Sequence, residues 1–241
     1  MKTFSFNFAA IATLTIALAA GLAACGDDDS GGNGNSNGGD VEKNGTYNPN
    51  GVITRIDVAD ICPDTNHPHI IDLGFGTKWA CCNLGASRPE QGGDYFAWGE
   101  TEPRTVDDYA YKYGDLTECQ YIGDDISGTQ YDAAKAQWGA QWCMPSLAEY
   151  RLLLRRCTFA AALMEGEMGL LATGTNGKKI FLPMAGTLPF TYPGEGWYWT
   201  STVNDHENST RAYVLAFDAM ETDWHVGAYR VNGLTIRAIS K

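Results

Sequence analysis

Leu22-Ala23-Ala24-Cys25, at the end of an apolar N-terminal run, decides how much of this 241-residue chain is free to fold. Lys2 is the only charge before Cys25, and Phe8 to Leu22 is rich in Ala, Leu and Ile. About fifteen apolar residues without a stop-transfer flank are short for a spanning helix and read as a signal peptide. Small Ala23 and Ala24 ahead of a cysteine make the pattern a lipoprotein signal. Residues 1–24 are expected to be removed and Cys25 acylated, palmitate included. Each buried methylene contributes about 0.8 kcal/mol, so two or three acyl chains hold a protein to a membrane without any helix. No later hydrophobic run is long enough to span a bilayer. The expected address lies beyond the inner membrane, with the acyl anchor as the sole membrane contact.

From Gly26 to Asn50 the chain is almost purely Gly, Asn, Ser and Asp, with no aromatic before Tyr47. Such composition cannot bury enough apolar surface to offset the entropy of ordering it. Residues 25–50 are therefore expected to be the acylated cysteine and a flexible tether, with a reach of roughly 25–30 Å. Residues 51–241 remain for a single domain with ample length for a core. The net charge of −12 repels phosphate backbones and anionic headgroups, which argues against nucleic acid as a partner.

Once Cys25 is given to lipid, Cys62, Cys81, Cys82, Cys119, Cys143 and Cys157 remain. An even count in an oxidising compartment suggests disulfides, with connectivity open and a strained Cys81–Cys82 bond set aside. If Cys81 and Cys82 lie in a strand, their side chains face opposite ways and should have different partners.

Val52 to Val58 alternates as an edge strand would, and Ile70–Gly74 with Lys78–Cys82 reads as a hairpin across Gly74 to Thr77. Thr101 to Gly128 is Tyr-, Asp- and Gly-rich and reads as a long irregular loop. Asp132 caps a short helix ending near Trp138. Ser146-Leu147-Ala148-Glu149 matches a capping box, opening a helix to about Arg156 with a stripe of Leu147, Tyr150, Leu153, Leu154 and Cys157. Asn176-Gly177 is a two-residue hairpin signal between Gly169–Thr173 and Lys179–Leu182. Three further strand-like runs follow: Trp197–Ser201, Ala212–Phe217 and Leu234–Ile239. The expected class is α+β, a largely antiparallel sheet with two short helices and long loops.

The order of these motifs resembles a known family. Asp72-Leu73-Gly74, Lys78-Trp79-Ala80, Cys82-Asn83-Leu84-Gly85-Ala86 and Gly93-Asp94-Tyr95-Phe96-Ala97-Trp98-Gly99-Glu100 come first. Then follow Trp138-Gly139, Met144-Pro145-Ser146, Asn176-Gly177, Tyr198-Trp199-Thr200-Ser201 and Gly233-Leu234-Thr235-Ile236-Arg237. From Asp72 to Ile239 the chain is similar to the Fibrobacter succinogenes major paralogous domain, common in surface lipoproteins of gut Bacteroides-type bacteria. Asp27, Asp28 and Asp29 resemble the acidic export signal of such lipoproteins; the alternative is a solvated spacer on a periplasmic protein. The resemblance implies a C-type lectin-like twisted antiparallel sheet, and an outer-membrane, cell-surface location. It also implies a Cys82–Cys157 disulfide. Cys119 and Cys143 depart from the family pattern and could form an extra bridge, which would leave Cys62 and Cys81 as a third.

The function expected from this resemblance is non-enzymatic binding of a glycan or a surface protein, as in adhesion. A structural or adhesin-accessory lipoprotein is the alternative. An enzyme of the formylglycine-generating type is disfavoured, since that activity uses a late cysteine pair and no cysteine follows Cys157. Candidate ligand contacts are Tyr109, Tyr111, Tyr113 and Tyr121 in the long loop, with Asn204, Asp205, Glu207 and Asn208 in a hairpin loop. The latter are oxygen donors of the kind calcium takes, although a solvated loop is the preferred reading and no cofactor is expected. Tyr95, Phe96 and Trp98 could form a sugar platform but read better as core. His67-Pro68-His69, between Cys62 and Cys81-Cys82, has the residue types of a zinc site. Its spacing is irregular and the compartment favours disulfides, so no metal is assigned. Asp107, Asp108, Asp124 and Asp125 read as solvated loop charges rather than as a glycosidase pair.

Overall fold

The computed structural model describes residues 53–64, 66–189, 192–204, 209–218, 222–223 and 227–241. Its strands before the long loop are β1 (Thr54–Arg55), β2 (Ile70–Asp72) and β3 (Lys78–Ala80). After the loop come α1 (Ala133–Trp138), β4 (Trp142–Cys143), α2 (Leu147–Arg156), β5 (Thr158–Met164), β6 (Glu167–Thr173) and β7 (Lys179–Pro183). The chain continues with β8 (Gly196–Val203), β9 (Arg211–Phe217), β10 (Thr222–Asp223), β11 (Gly227–Tyr229) and β12 (Ile239–Ser240).

The α+β expectation holds, but the strands divide into three four-stranded sheets among the described residues. Their orders are β1-β5-β6-β7, β2-β3-β12-β4, and β10-β9-β11 with β8 also on β9. Every pairing of these strands is antiparallel except β1 with β5. No helix among the described residues is long and apolar enough to cross a membrane.

Local chemistry explains the elements that were legible in advance. Ser146 accepts from Glu149 N–H while Glu149 reaches back to Ser146 N–H, so both ends of the capping box close. Such a cap contributes about 1 kcal/mol. The α2 stripe of Leu147, Tyr150, Leu153 and Leu154 is buried as its spacing requires. Asp132 caps α1 through Lys135 N–H and, fully buried, also accepts from Gly128 and Met144 N–H. It thereby ties α1 to β4.

Three expectations need correction. The edge strand is only Thr54–Arg55, because a 3-10 turn at Val58–Asp60, capped by Asp57, ends it. β5 was not anticipated, since its centre, Ala160-Ala161-Ala162, is a poor strand signal. Pairing with β6 along its whole length, from Thr158–Thr173 to Met164–Glu167, supplies what propensity lacks. Leu234–Ile239 is not one strand. Its backbone runs through the interior and bonds separate pieces of chain: Leu234 O accepts from Phe96, Thr235 O from Trp199, Ile236 O from Leu84 and Ala238 O from Ala80.

Two main apolar clusters result. One packs α2 and β5–β7 around Trp79, Tyr150 and Tyr198; the other gathers Trp98, Trp142 and Trp199 under β8 and β9. Trp98 Nε1 donates to Thr200 O and Trp199 Nε1 to Phe96 O, so both indoles are core with satisfied polar ends. Tyr198 is fully buried, donates to Pro183 O and accepts from Asn83 Nδ2. Burial pushes its hydroxyl up to about 12, and Tyr150 moves the same way for the same reason. A phenol whose folded value lies above its unfolded one keeps its proton longer in the fold, so stability falls as pH rises between the two. Stability is expected to drop steeply from about pH 10 towards 12, with tyrosinate absorbance from these rings appearing together with unfolding in an alkaline titration. Titration of all the tyrosines near their ordinary value, with the fold intact, would show the rings to be hydrated.

Candidate functional site

The β2–β3 hairpin sets one half of the site. Its register pairs Ile70 with Ala80, so His69 falls opposite Cys81 as the next pair. Cys81 N–H donates to His69 O at 3.0 Å, as a ladder would. The return bond is different: Arg237 takes Cys81 O at 3.1 Å, and His69 N–H turns to Cys81 Sγ at 3.1 Å. The other half comes from the chain leading into the hairpin. The 3-10 turn ends with Cys62 N–H on Val58 O, which buries Cys62. Asp64 then accepts from Asn66 N–H at 2.7 Å, and a cis His67–Pro68 bond follows.

This fold-back brings Cys62, His67, His69 and Cys81 together, with donor atoms all within 4.8 Å of one another. His67 Nδ1 lies 3.2 Å from Cys81 Sγ and 3.8 Å from Cys62 Sγ. His69 Nδ1 lies 3.7 Å from Cys81 Sγ, while its Nε2 meets Asp64 Oδ1 at 3.0 Å. Cys82 Sγ is 3.8 Å from His67 Nδ1 and 3.4 Å from Ala86 O. The condition for opposite faces of Cys81 and Cys82 is not met: β3 stops at Ala80, and past a strand end the two-residue alternation no longer applies. Hydrogen bonds from the Cys62 and Cys82 thiols, then from His67 and His69 N–H, hold Cys81 far below the ordinary thiol range. Cys62 and Cys82 move up, chiefly because their protons are shared with Cys81.

The six cysteines outside the signal are all buried thiols here, with no S–S bond. Cys119 donates to Asp115 O and packs with Ala97 and Tyr111, whereas Cys143 lies in the α2 core with Cys157. Burial pushes Cys157 up to about 12 and raises Cys119 and Cys143 as well.

The long loop behaves differently from residue to residue. Tyr109 is 72% exposed and Tyr121 53%. Tyr111 is not: it is buried, donates to Trp98 O at 2.7 Å and accepts from Arg230 Nε at 3.1 Å. Tyr113 is half-buried, edge-on to Tyr111 and Tyr131. A loop this rich in Tyr buries part of its own aromatic surface, which a solvated-loop reading overlooks. Asn204 donates its N–H to Arg211 O and packs its side chain on Gly227; Asp205, Glu207 and Asn208 lie outside the described residues. So do Cys25 and the tether.

Tyr109 stands at a cleft of about 500 Å³ with Glu100, Glu102, Arg104, Asp107 and Asp108. Its base is pre-organised. Arg104 is buried, holds Glu100 by two bonds of 3.0 and 3.1 Å, and donates to Val231 O at 2.9 Å. Glu100 Oε1 also accepts from Lys112 N–H, and Asp108 Oδ2 from Thr105 N–H and Oγ1–H. The Thr105 bonds, backbone first, hold Asp108 below the usual carboxylate range. Glu102 and Asp107 are exposed.

The hairpin was legible in the sequence, but its register, which sets His69 beside Cys81, is a finding of the structure. What no local signal carried was the return of Cys62 and His67. Compared with models of known families, with curated proteins and with solved structures, the chain matches none.

Proposed function

We propose that this chain is a non-enzymatic surface lipoprotein, anchored to the outer membrane through Cys25. In this reading a C-type lectin-like head of the Fibrobacter succinogenes major paralogous type binds glycan. The observation that carries the ligand class is Tyr109: a largely exposed aromatic ring beside a cleft lined with carboxylates. Aromatic faces cover the apolar faces of sugars while fixed acceptors take hydroxyl protons. Glu102 and Asp107 supply the exposed acceptors, because Glu100 and Asp108 are committed to Arg104 and Thr105. That commitment also supports a binding role over hydrolysis, which needs two carboxyl groups free to exchange protons.

A glycan array probed with residues 26–241 tests the reading. Binding to a defined glycan class is expected, weakened about tenfold or more by Tyr109→Ala, a loss near 1.4 kcal/mol. A silent array, with the folded protein verified by circular dichroism, would favour the accessory role. Incorporation of an alkyne fatty acid, abolished by Cys25→Ala, checks the anchor.

A further inference from the structure

We propose that Cys62, His67, His69 and Cys81 bind one zinc ion in a closed, structural site. The first argument is distance. Zinc bound tetrahedrally by sulfur at about 2.3 Å and nitrogen at about 2.1 Å sets sulfur and nitrogen roughly 3.6 Å apart. Three of the four sulfur–nitrogen distances among these residues are 3.2, 3.8 and 3.7 Å, and the fourth is within 4.8 Å, so an ion fits with small adjustment. A Cys62–Cys81 disulfide would instead remove both sulfurs from the imidazoles they now face.

The second argument is the shell around the donors. His69 gives Nε2 to Asp64 and so turns Nδ1 inward, the carboxylate–histidine arrangement that orients metal-binding imidazoles. His69 N–H on Cys81 Sγ supports a thiolate there, and Arg237 holds the Cys81 carbonyl, so the residue's backbone cannot swing away. These contacts lie within hydrogen-bond reach of the donors or of their backbone.

Charge supplies the third argument. Both cysteines are buried, and an unpaired thiolate there is costly. Two thiolates, two neutral imidazoles and a dication sum to zero, with any proton still held by a donor released to solvent as the metal binds. Two soft sulfurs and two imidazoles suit zinc rather than calcium or magnesium, and four protein donors leave no open position for a substrate. The ion would clamp the segment that leads from β1 onto the end of the β2–β3 hairpin. Cys82 is left out because its sulfur is not among the four donor atoms that lie within 4.8 Å of one another.

The test uses the full chain in detergent, reduced with a phosphine and stripped by a chelator. Titration with zinc alone is expected to reach one equivalent by metal analysis and to raise the melting temperature. Cobalt(II) alone should give thiolate-to-metal charge transfer and the visible bands of a tetrahedral ion. Cys62→Ser and His67→Ala should abolish this spectrum, whereas Cys82→Ser and Cys157→Ser should keep it. Should the ligand variants fail to fold, Asp64→Asn provides the check: exposed at the surface, it should fold and weaken zinc about 10–100-fold. Folded, reduced wild type that takes up no zinc or cobalt would overturn the proposal. A Cys62–Cys81 disulfide in protein isolated from its own membrane without reductant would also overturn it.

Discussion

Replacing Arg237 with alanine is expected to cost the head about 3–5 kcal/mol, enough to unfold many domains of this size. Arg237 is fully buried, and its guanidinium donates to Asn83 Oδ1, Ala80 O, Cys81 O and Phe181 O at 2.7–3.2 Å. Those acceptors belong to two separate pieces of chain: the end of β3 with the turn after it, and β7. No ion pair to Arg237 is found among the described residues, so uncharged acceptors alone compensate its desolvation. Alanine leaves them unpaired in the interior, each at about 1–3 kcal/mol where water cannot enter. Lysine is a poor substitute, since three donors on one nitrogen cannot span a site shaped for a planar fork. Urea denaturation with an unchanged slope is the measurement. A loss below about 1 kcal/mol for Arg237→Ala would show that water reaches the four oxygens.

Arg230→Ala should cost roughly 3 kcal/mol, with the damage confined largely to the long loop. Arg230 is buried, sits 4.6 Å from the Trp98 ring, and donates to Tyr111 Oη, Ser209 O and Gln120 O at 3.1 Å. The same Tyr111 hydroxyl donates to Trp98 O. A cation over an indole, desolvated and triply bonded, is a stronger fastener than the loop's own turns. Its removal frees residues 111–120 while the two apolar clusters keep their packing. Hydrogen exchange should therefore accelerate at Lys112 to Gln120, with protection in β6 and β7 unchanged. Uniform loss of protection across both regions would mean that the loop and core unfold as one unit. Because Tyr109 precedes this stapled segment, glycan binding should weaken in the same variant.

Arg237 stands in a run that reads as ordinary strand, and nothing local announces the burial of either arginine. Arg237 belongs to an alternating pattern that predicts an exposed side chain opposite Ile236, yet both are buried. Burial of a cation needs converging carbonyls from distant segments, and those become known only once the chain is folded. Tyr111 makes the same point against Tyr109. Two residues apart in one loop, they differ because only one finds Arg230 and Trp98 O within reach.

What the sequence by itself determined is local. The Ser146–Glu149 box, the Asp132 cap and the two hairpins, β2–β3 and β6–β7, each depend on contacts within a few residues or across one turn, although the turn at Asn176-Gly177 is longer than two residues because Gly174 N–H bonds Lys178 O. The buried indoles Trp98 and Trp199 belong here too, because large apolar area has few alternatives to the core. The tertiary structure alone decided the grouping of Cys62 and His67 with His69 and Cys81. Chain reversal between Cys62 and His69 depends on where β1 docks on β5 and on the burial of Ile61 and Cys62 in a core built mostly from residues after 140. Side-chain chemistry is encoded residue by residue, but its assembly into a site is set by packing between segments far apart in the chain.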